Sequence, residues 1–172
     1  GPSGELLYFT RVMPSAFKIP MTPAESPVDR VFIMVVGGPS MTTMQDWYRD
    51  ALGLKPGPAS AWQINTLSQT LQLPPETRYP LSIAPLPRDF EIELDEYPSV
   101  SKPRPVREGA LPPGIAMVSI GVDRLEDLKV EWRAPPTRIA EFPYNGRRTA
   151  VTTGPAGEWL EFIEAATPTV SK

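Results

Sequence analysis

The chemistry open to this chain is set first by what it lacks. Its 172 residues contain no cysteine and no histidine. Disulfides, thiolate nucleophiles and cysteine-based zinc sites are therefore excluded, and the commonest general base and transition-metal ligand is missing too. What remains is carboxylate and guanidinium chemistry. Glu91, Glu93 and Asp95 alternate with Phe90, Ile92 and Leu94, a spacing that puts three acids on one face of a strand. Such a face either lines a site or is simply solvated. Glu161 stands alone between Leu160 and Phe162, where burial would raise its carboxyl toward the range of a useful general base. Gly37-Gly38-Pro39 is followed by neither a lysine nor a further glycine pattern, so it is no phosphate loop. There is no Gly-x-Ser-x-Gly elbow either.

These residues sit on recognisable elements. Residues 31–36, Val-Phe-Ile-Met-Val-Val, are a β-rich run closed by Gly-Gly-Pro. Ser40 can cap a helix to Leu52 with Met41, Met44, Trp47, Tyr48 and Ala51 on one face, and Gly53 is placed to end it. Strands are expected near residues 62–73, 81–84 and 90–95. The order then repeats about 85 residues later. Residues 115–122 read as a strand, Asp123 as an N-cap, and 124–133 as a short helix with Leu125, Leu128 and Trp132 on its stripe. Pro135-Pro136 stops that helix, and strands follow near 137–142, 149–152 and 159–163. Strand–helix–three-strand thus occurs twice, an α+β pattern.

Composition bounds the rest. Hydrophobic residues make up 41% and charged residues 22%, the profile of a globular domain. A net charge of −3 argues against a nucleic-acid footprint. No apolar run approaches the roughly 18 residues of a membrane span, and Gly1-Pro2-Ser3-Gly4 lacks the regions of a signal peptide, so cytoplasm is the default location. The 23 prolines cluster in two stretches that read as connectors, 14–27 and 98–113.

Three motifs together resemble the vicinal oxygen chelate superfamily, the glyoxalase, bleomycin-resistance and extradiol-dioxygenase group. Residues 46–54, DWYRDALGL, resemble the end of that family's first helix. Residues 154–162, GPAGEWLEF, resemble its final hairpin and strand, and 115–125, IAMVSIGVDRL, the opening of its second module. The match covers about residues 28–165 and implies two βαβββ modules, about 28–97 and 114–166, forming a curved, cup-shaped mixed sheet with helices outside. Residues 1–13 look like a further copy of the final hairpin and strand, which implies a similar domain upstream. Residues 167–172 read as a tail.

The resemblance also implies a site. Family members that bind metal use a histidine in the first strand and a glutamate in the last strand of each module. The glutamate positions fall on Glu93 and Glu161, and the histidine positions on Arg30 and Met117. A guanidinium and a thioether are no substitute for imidazole at a divalent metal, so no metal or other cofactor is expected. Alternation groups Arg30 with Phe32 and Met34, Met117 with Ser119, and Trp159 with Glu161, giving an expected lining of Phe32, Met34, Glu93, Met117, Ser119 and Trp159. In one reading Glu161 is a catalytic base and Arg30 anchors an enolate or carboxylate, the chemistry of a metal-independent isomerase or lyase. In others the domain binds a small molecule without chemistry, or supports a catalytic partner domain. Arg30 can equally be an ion-pair partner of Glu93 or Glu161. The expected partners are a small-molecule ligand and a second copy or the upstream domain, with no nucleic acid and no membrane.

Overall fold

Residues 2, 7–11 and 24–165 are described by the computed structural model. Ile33–Gly38 forms strand β1. Ser40 follows in extended conformation, and its hydroxyl accepts the Thr43 N–H to open helix α1, Met41–Leu52, the work of a serine N-cap. The Glu96 carboxylate accepts the Met41 N–H at 2.7 Å, placing negative charge at the positive end of the helix. Gly53 closes α1 at φ 69°, its N–H turned back to the Arg49 carbonyl. Strand β2 (Ser60–Gln63), helix α2 (Asn65–Leu71), strand β3 (Arg78–Leu86) and strand β4 (Phe90–Glu96) complete the first module. Its sheet has the order β1-β4-β3-β2, with β1 parallel to β4 and the other pairs antiparallel.

The second module repeats this plan. Strands β5 (Met117–Val122), β6 (Thr137–Arg138), β7 (Arg148–Thr153) and β8 (Trp159–Glu164) form a sheet of order β5-β8-β7-β6. Here too the first strand lies parallel to the last. The two four-stranded mixed sheets are the βαβββ duplication expected from the sequence.

Two elements differ from expectation. Residues 62–73 do not form a strand: β2 ends at Gln63 and α2 occupies most of the rest, because Ser68 on α2 is buried against Tyr79, their hydroxyls 2.8 Å apart. The expected helix over 124–133 is a single 3-10 turn at Leu125–Asp127, and Asp123 does not cap it. Beyond the turn the chain runs extended, and its polar groups bond outward rather than along a helix. The Lys129 N–H goes to the Ala51 carbonyl at 2.9 Å, the Arg133 N–H to Val151 O at 2.8 Å, and Thr152 donates to Glu131 O at 2.6 Å. A ten-residue helix is marginal in its own right, so these tertiary bonds win. The expected upstream strand falls mostly outside the described residues, and residues 7–11 within it carry no strand. Most of the 14–27 connector and the 167–172 tail lie outside them as well.

One hydrophobic cluster spans both modules. Val36, Met44, Tyr48, Ala84, Ile92 and Leu94 of the first pack with Leu125, Ala150, Leu160 and Phe162 of the second. The Trp132 ring meets Phe162 edge-on at 6.0 Å. Phe162 is 1% exposed, so Phe162→Ala should lower unfolding stability by about 3–5 kcal/mol, read as a shift in the urea midpoint. A shift below ~1 kcal/mol would mean that the two halves do not share this core.

Candidate functional site

Each sheet has one face in the shared core and one turned away from it. Directly paired residues of neighbouring strands share a face. In the first sheet the register therefore puts Met34, Val36, Ile92, Leu94, Ala84 and Ser82 on the core side. Ile33, Val35 and Gly37 lie on the open side with Glu91, Glu93 and Asp95 of β4, and with Pro85, Ile83 and Leu81 of β3. Alternation along β4 was thus read correctly. Alternation along β1 was out of step: Met34 packs against the core and cannot share the face of Glu93.

Arg30 precedes β1 and lies 3.9 Å from Asp89, its guanidinium 5.5 Å from the centre of the Phe90 ring. It pairs with neither Glu93 nor Glu161. Phe32 also lies before β1, its carbonyl accepting the Glu91 N–H at 2.8 Å. The equivalence of the modules explains the mismatch. Met117 sits two residues before Ser119, the partner of Glu161. The matching residue in the first module is Ile33, two before Val35, the partner of Glu93. The positions expected to hold histidine are therefore Ile33 and Met117. An isoleucine, a thioether and two carboxylates do not make a divalent-metal donor set. Among the described residues no group of three or more Asp, Glu, His or Cys converges to hold a metal ion.

The open face of the second sheet does assemble Met117, Ser119, Trp159 and Glu161, as expected. Glu161 is only 4% exposed, because three hydroxyls close over it. Ser119 donates to Oε2 at 2.5 Å, while Tyr144 at 2.9 Å and Thr149 at 3.1 Å approach Oε1. The Thr149 hydroxyl is also 3.0 Å from the Phe162 carbonyl, and its single hydrogen is shared between the two. The hydrogen bond to Glu161 raises the Tyr144 phenol, with burial and the Glu161 charge adding to it. Tyr144 comes from the loop between β6 and β7, held by Arg147, which donates to the Tyr144 carbonyl at 2.7 Å and the Pro143 carbonyl at 2.5 Å. Nothing in the spacing of a loop tyrosine announces this role. Thr149 was more accessible, since it faces the same way as Val151, the β7 partner of Glu161. Arg133, also missed, stacks 4.1 Å from the centre of the Trp159 ring and donates to Thr153 at 2.9 Å.

The first sheet carries the stronger electrostatic anomaly. Burial raises Glu91 and Glu93, and for Glu93 a hydrogen bond from Asp95 offsets part of the rise. Asp95 is 3% exposed. Burial, then the Glu93 charge and the bond it donates to Glu93, push it from an ordinary 3.8 up to about 7. Its Oδ1 is buried with no hydrogen-bond partner. The cover is Tyr97, whose ring lies over Gly37, the β1 partner of Asp95. A Cβ at position 37 would fall 2.2 Å from Tyr97 Cζ, so any larger residue there would force the ring to move. The Tyr97 phenol is pushed up to about 12 by burial and by the charges of Asp95, Tyr8 and Glu93. Two surface hollows, about 520 and 410 Å³, lie between α1 and residues 129–133, and the first reaches Arg133 and Thr153 beside Trp159.

No family model matches this sequence, and no curated protein sequence matches it. Solved structures do. A glyoxalase family protein from Bacillus cereus superposes with a TM-score of 0.59 at 14% identity, covering 83% of this chain and 98% of its own. A glyoxylase/bleomycin resistance protein/dioxygenase domain from Frankia sp. EAN1pec gives 0.56 at 13% identity over 81% and 99%. A glyoxalase family protein from Enterococcus faecalis gives 0.53 at 16% identity over 78% and 97%. These likenesses establish the glyoxalase/bleomycin resistance/dioxygenase fold. No helix among the described residues is long and apolar enough to cross a membrane.

The Asp95 environment has a measurable consequence. Because the folded protein favours its protonated form, the stability it contributes is present below pH ~4 and is lost as pH rises toward about 7. Asp95→Asn mimics the protonated carboxyl. The variant should exceed the parent at pH 8 by about 1–3 kcal/mol and converge with it near pH 4 in urea unfolding. Identical pH profiles for the two would contradict the burial of this carboxyl.

Proposed function

We propose that this is a small-molecule-binding domain of the glyoxalase/bleomycin resistance fold that performs no chemistry of its own. The observation that carries this reading is the engagement of Glu161. Proton abstraction next to a carbonyl needs a base presented to substrate and a cation or donor for the developing oxyanion. Glu161, the acid best suited to the first role, has Ser119, Tyr144 and Thr149 on its two oxygens. Reaching a substrate proton would mean breaking up that set. Arg30, the intended oxyanion partner, lies against Asp89 and Phe90. Glu161 is thus the hub that ties β5, β7, β8 and the Tyr144 loop together, and it shapes the open face without acting on a ligand.

What the faces offer suits binding. Apolar surface from Ile33, Val35 and Met117, the Trp159–Arg133 stack and a few carboxylates are the mixture of a general ligand site. A hub role and a base role differ in what Glu161→Gln does. Replacing an acceptor-only carboxylate by an amide sets an N–H₂ against hydroxyl donors, so unfolding stability should drop by about 1–3 kcal/mol. In a thermal-shift screen against a metabolite library, compounds that stabilise the parent should be recovered unchanged by mass spectrometry. Product formed by the parent and abolished by Glu161→Gln would return Glu161 to the role of base.

A further inference from the structure

We propose that the open face of the first sheet binds a primary organic ammonium ion carrying an apolar or aromatic body. The assignment rests on the binding reading above and adds the class of ligand.

Three carboxylates occupy successive positions on this face of β4. Their directly paired neighbours are Ile33, Val35 and Gly37 on β1, and Pro85, Ile83 and Leu81 on β3. None of these carries a charge. Among the described residues, the ion pairs leave out all three acids. The nearby guanidiniums of Arg30 and Arg88 face the Phe90 ring at 5.5 and 6.0 Å instead. Three acids held against apolar neighbours without a counter-cation are costly, since a half-buried charge needs a partner.

The second observation is independent of charge count. Asp95 is 3% exposed, and its Oδ1 has no donor. A buried acceptor without a donor is rare in folded proteins, and a ligand N–H satisfies it. Asp95 and Glu93 share a hydrogen bond, and the two carboxyls still present acceptor oxygens to spare. An anion is repelled here. Among the described residues these acids do not converge to hold a metal ion. An ammonium with an organic tail uses both features, its N–H groups on Glu93 and Asp95 and its tail along the apolar β1 and β3 residues.

The end wall fits the same ligand. The Tyr97 ring covers Gly37 beside Asp95. Tyr8, hydrogen-bonded to Thr66, lies near Tyr97. An aromatic face next to carboxylates attracts organic cations. Tyr97 is partly exposed, and its ring must turn aside for a ligand to reach Asp95 Oδ1.

Phenethylamine, 2-phenylethanol and 3-phenylpropionate share a ring and differ in charge, so they separate the class. Calorimetric titration of the whole chain at pH 7 should show phenethylammonium binding at least about tenfold more tightly than the other two. Glu93→Gln should weaken it by about tenfold, while Glu126→Gln, on an exposed pair with Arg148, leaves it unchanged. Amide shifts on the parent, read by NMR, should centre on Val35, Glu93, Asp95 and Tyr97, which tests the site even where a variant folds poorly. No phenethylammonium binding, equal binding of the alcohol or the carboxylate, or shifts centred elsewhere would overturn the ligand class and leave the binding reading standing. Chemical conversion of the bound amine would instead overturn the binding reading, whatever the selectivity.

Discussion

A phenol with no exposed surface reaches from one module to the other and gives its only hydrogen to a carboxylate. The Tyr48 hydroxyl on α1 donates to Glu158 Oε1 at 2.7 Å. Burial, then the charge and hydrogen bond of Glu158, push this phenol far above its ordinary value, and burial raises Glu158 in turn. The other Glu158 oxygen accepts the Ala156 N–H at 2.9 Å. The turn before β8 is built around that carboxyl: a Cβ on Gly154 would fall 2.1 Å from it. Gly38, at the end of β1, is confined as well, less tightly: a Cβ there would fall 2.7 Å from Met44 and 3.0 Å from Ala156. A polar bond of this kind contributes little net stability. Its importance is geometric, because leaving either partner unpaired in the shared core is expensive.

From this seam the two open faces take different forms on one topological plan. In each module the last strand lies between the first and the third, so the centre of the open face belongs to β4 or β8. The equivalent residues there are Glu93 and Glu161. Glu161 is hydrogen-bonded by hydroxyls, which satisfy its oxygens without a counter-charge. Glu93 is given another carboxyl. The first arrangement is a closed polar network; the second stores unfavourable charge.

Much of this was legible in the chain. The duplication, the capped first helix and the acid face of β4 follow from patterns with a single physical cause: periodicity, a serine cap, strict alternation. Reading the β1 face failed because the run at residues 31–36, Val-Phe-Ile-Met-Val-Val, is apolar throughout, and a run without alternation does not reveal its own phase. Only pairing with β4 fixes it, which is why Arg30 and Met34 were grouped with Glu93 and Ile33 was not. The 125–133 region failed for a different reason. Leu125, Leu128 and Trp132 do bury their stripe, yet the backbone found partners in α1 and β7 that no local pattern records. Tyr144 reaches Glu161 from a loop, and the Tyr97 ring folds over Gly37 from just beyond a strand.

The reduced second helix leaves the halves unequal. With one 3-10 turn in place of a full helix, the core side of the second sheet is covered by an extended strap. That strap is fastened to the end of α1 through Lys129 and Ala51. The first module keeps its own helix, while the second borrows part of its roof. Duplication in topology is therefore no longer duplication in autonomy. The later half has become a dependent of the earlier one, and selection on either sequence acts on both.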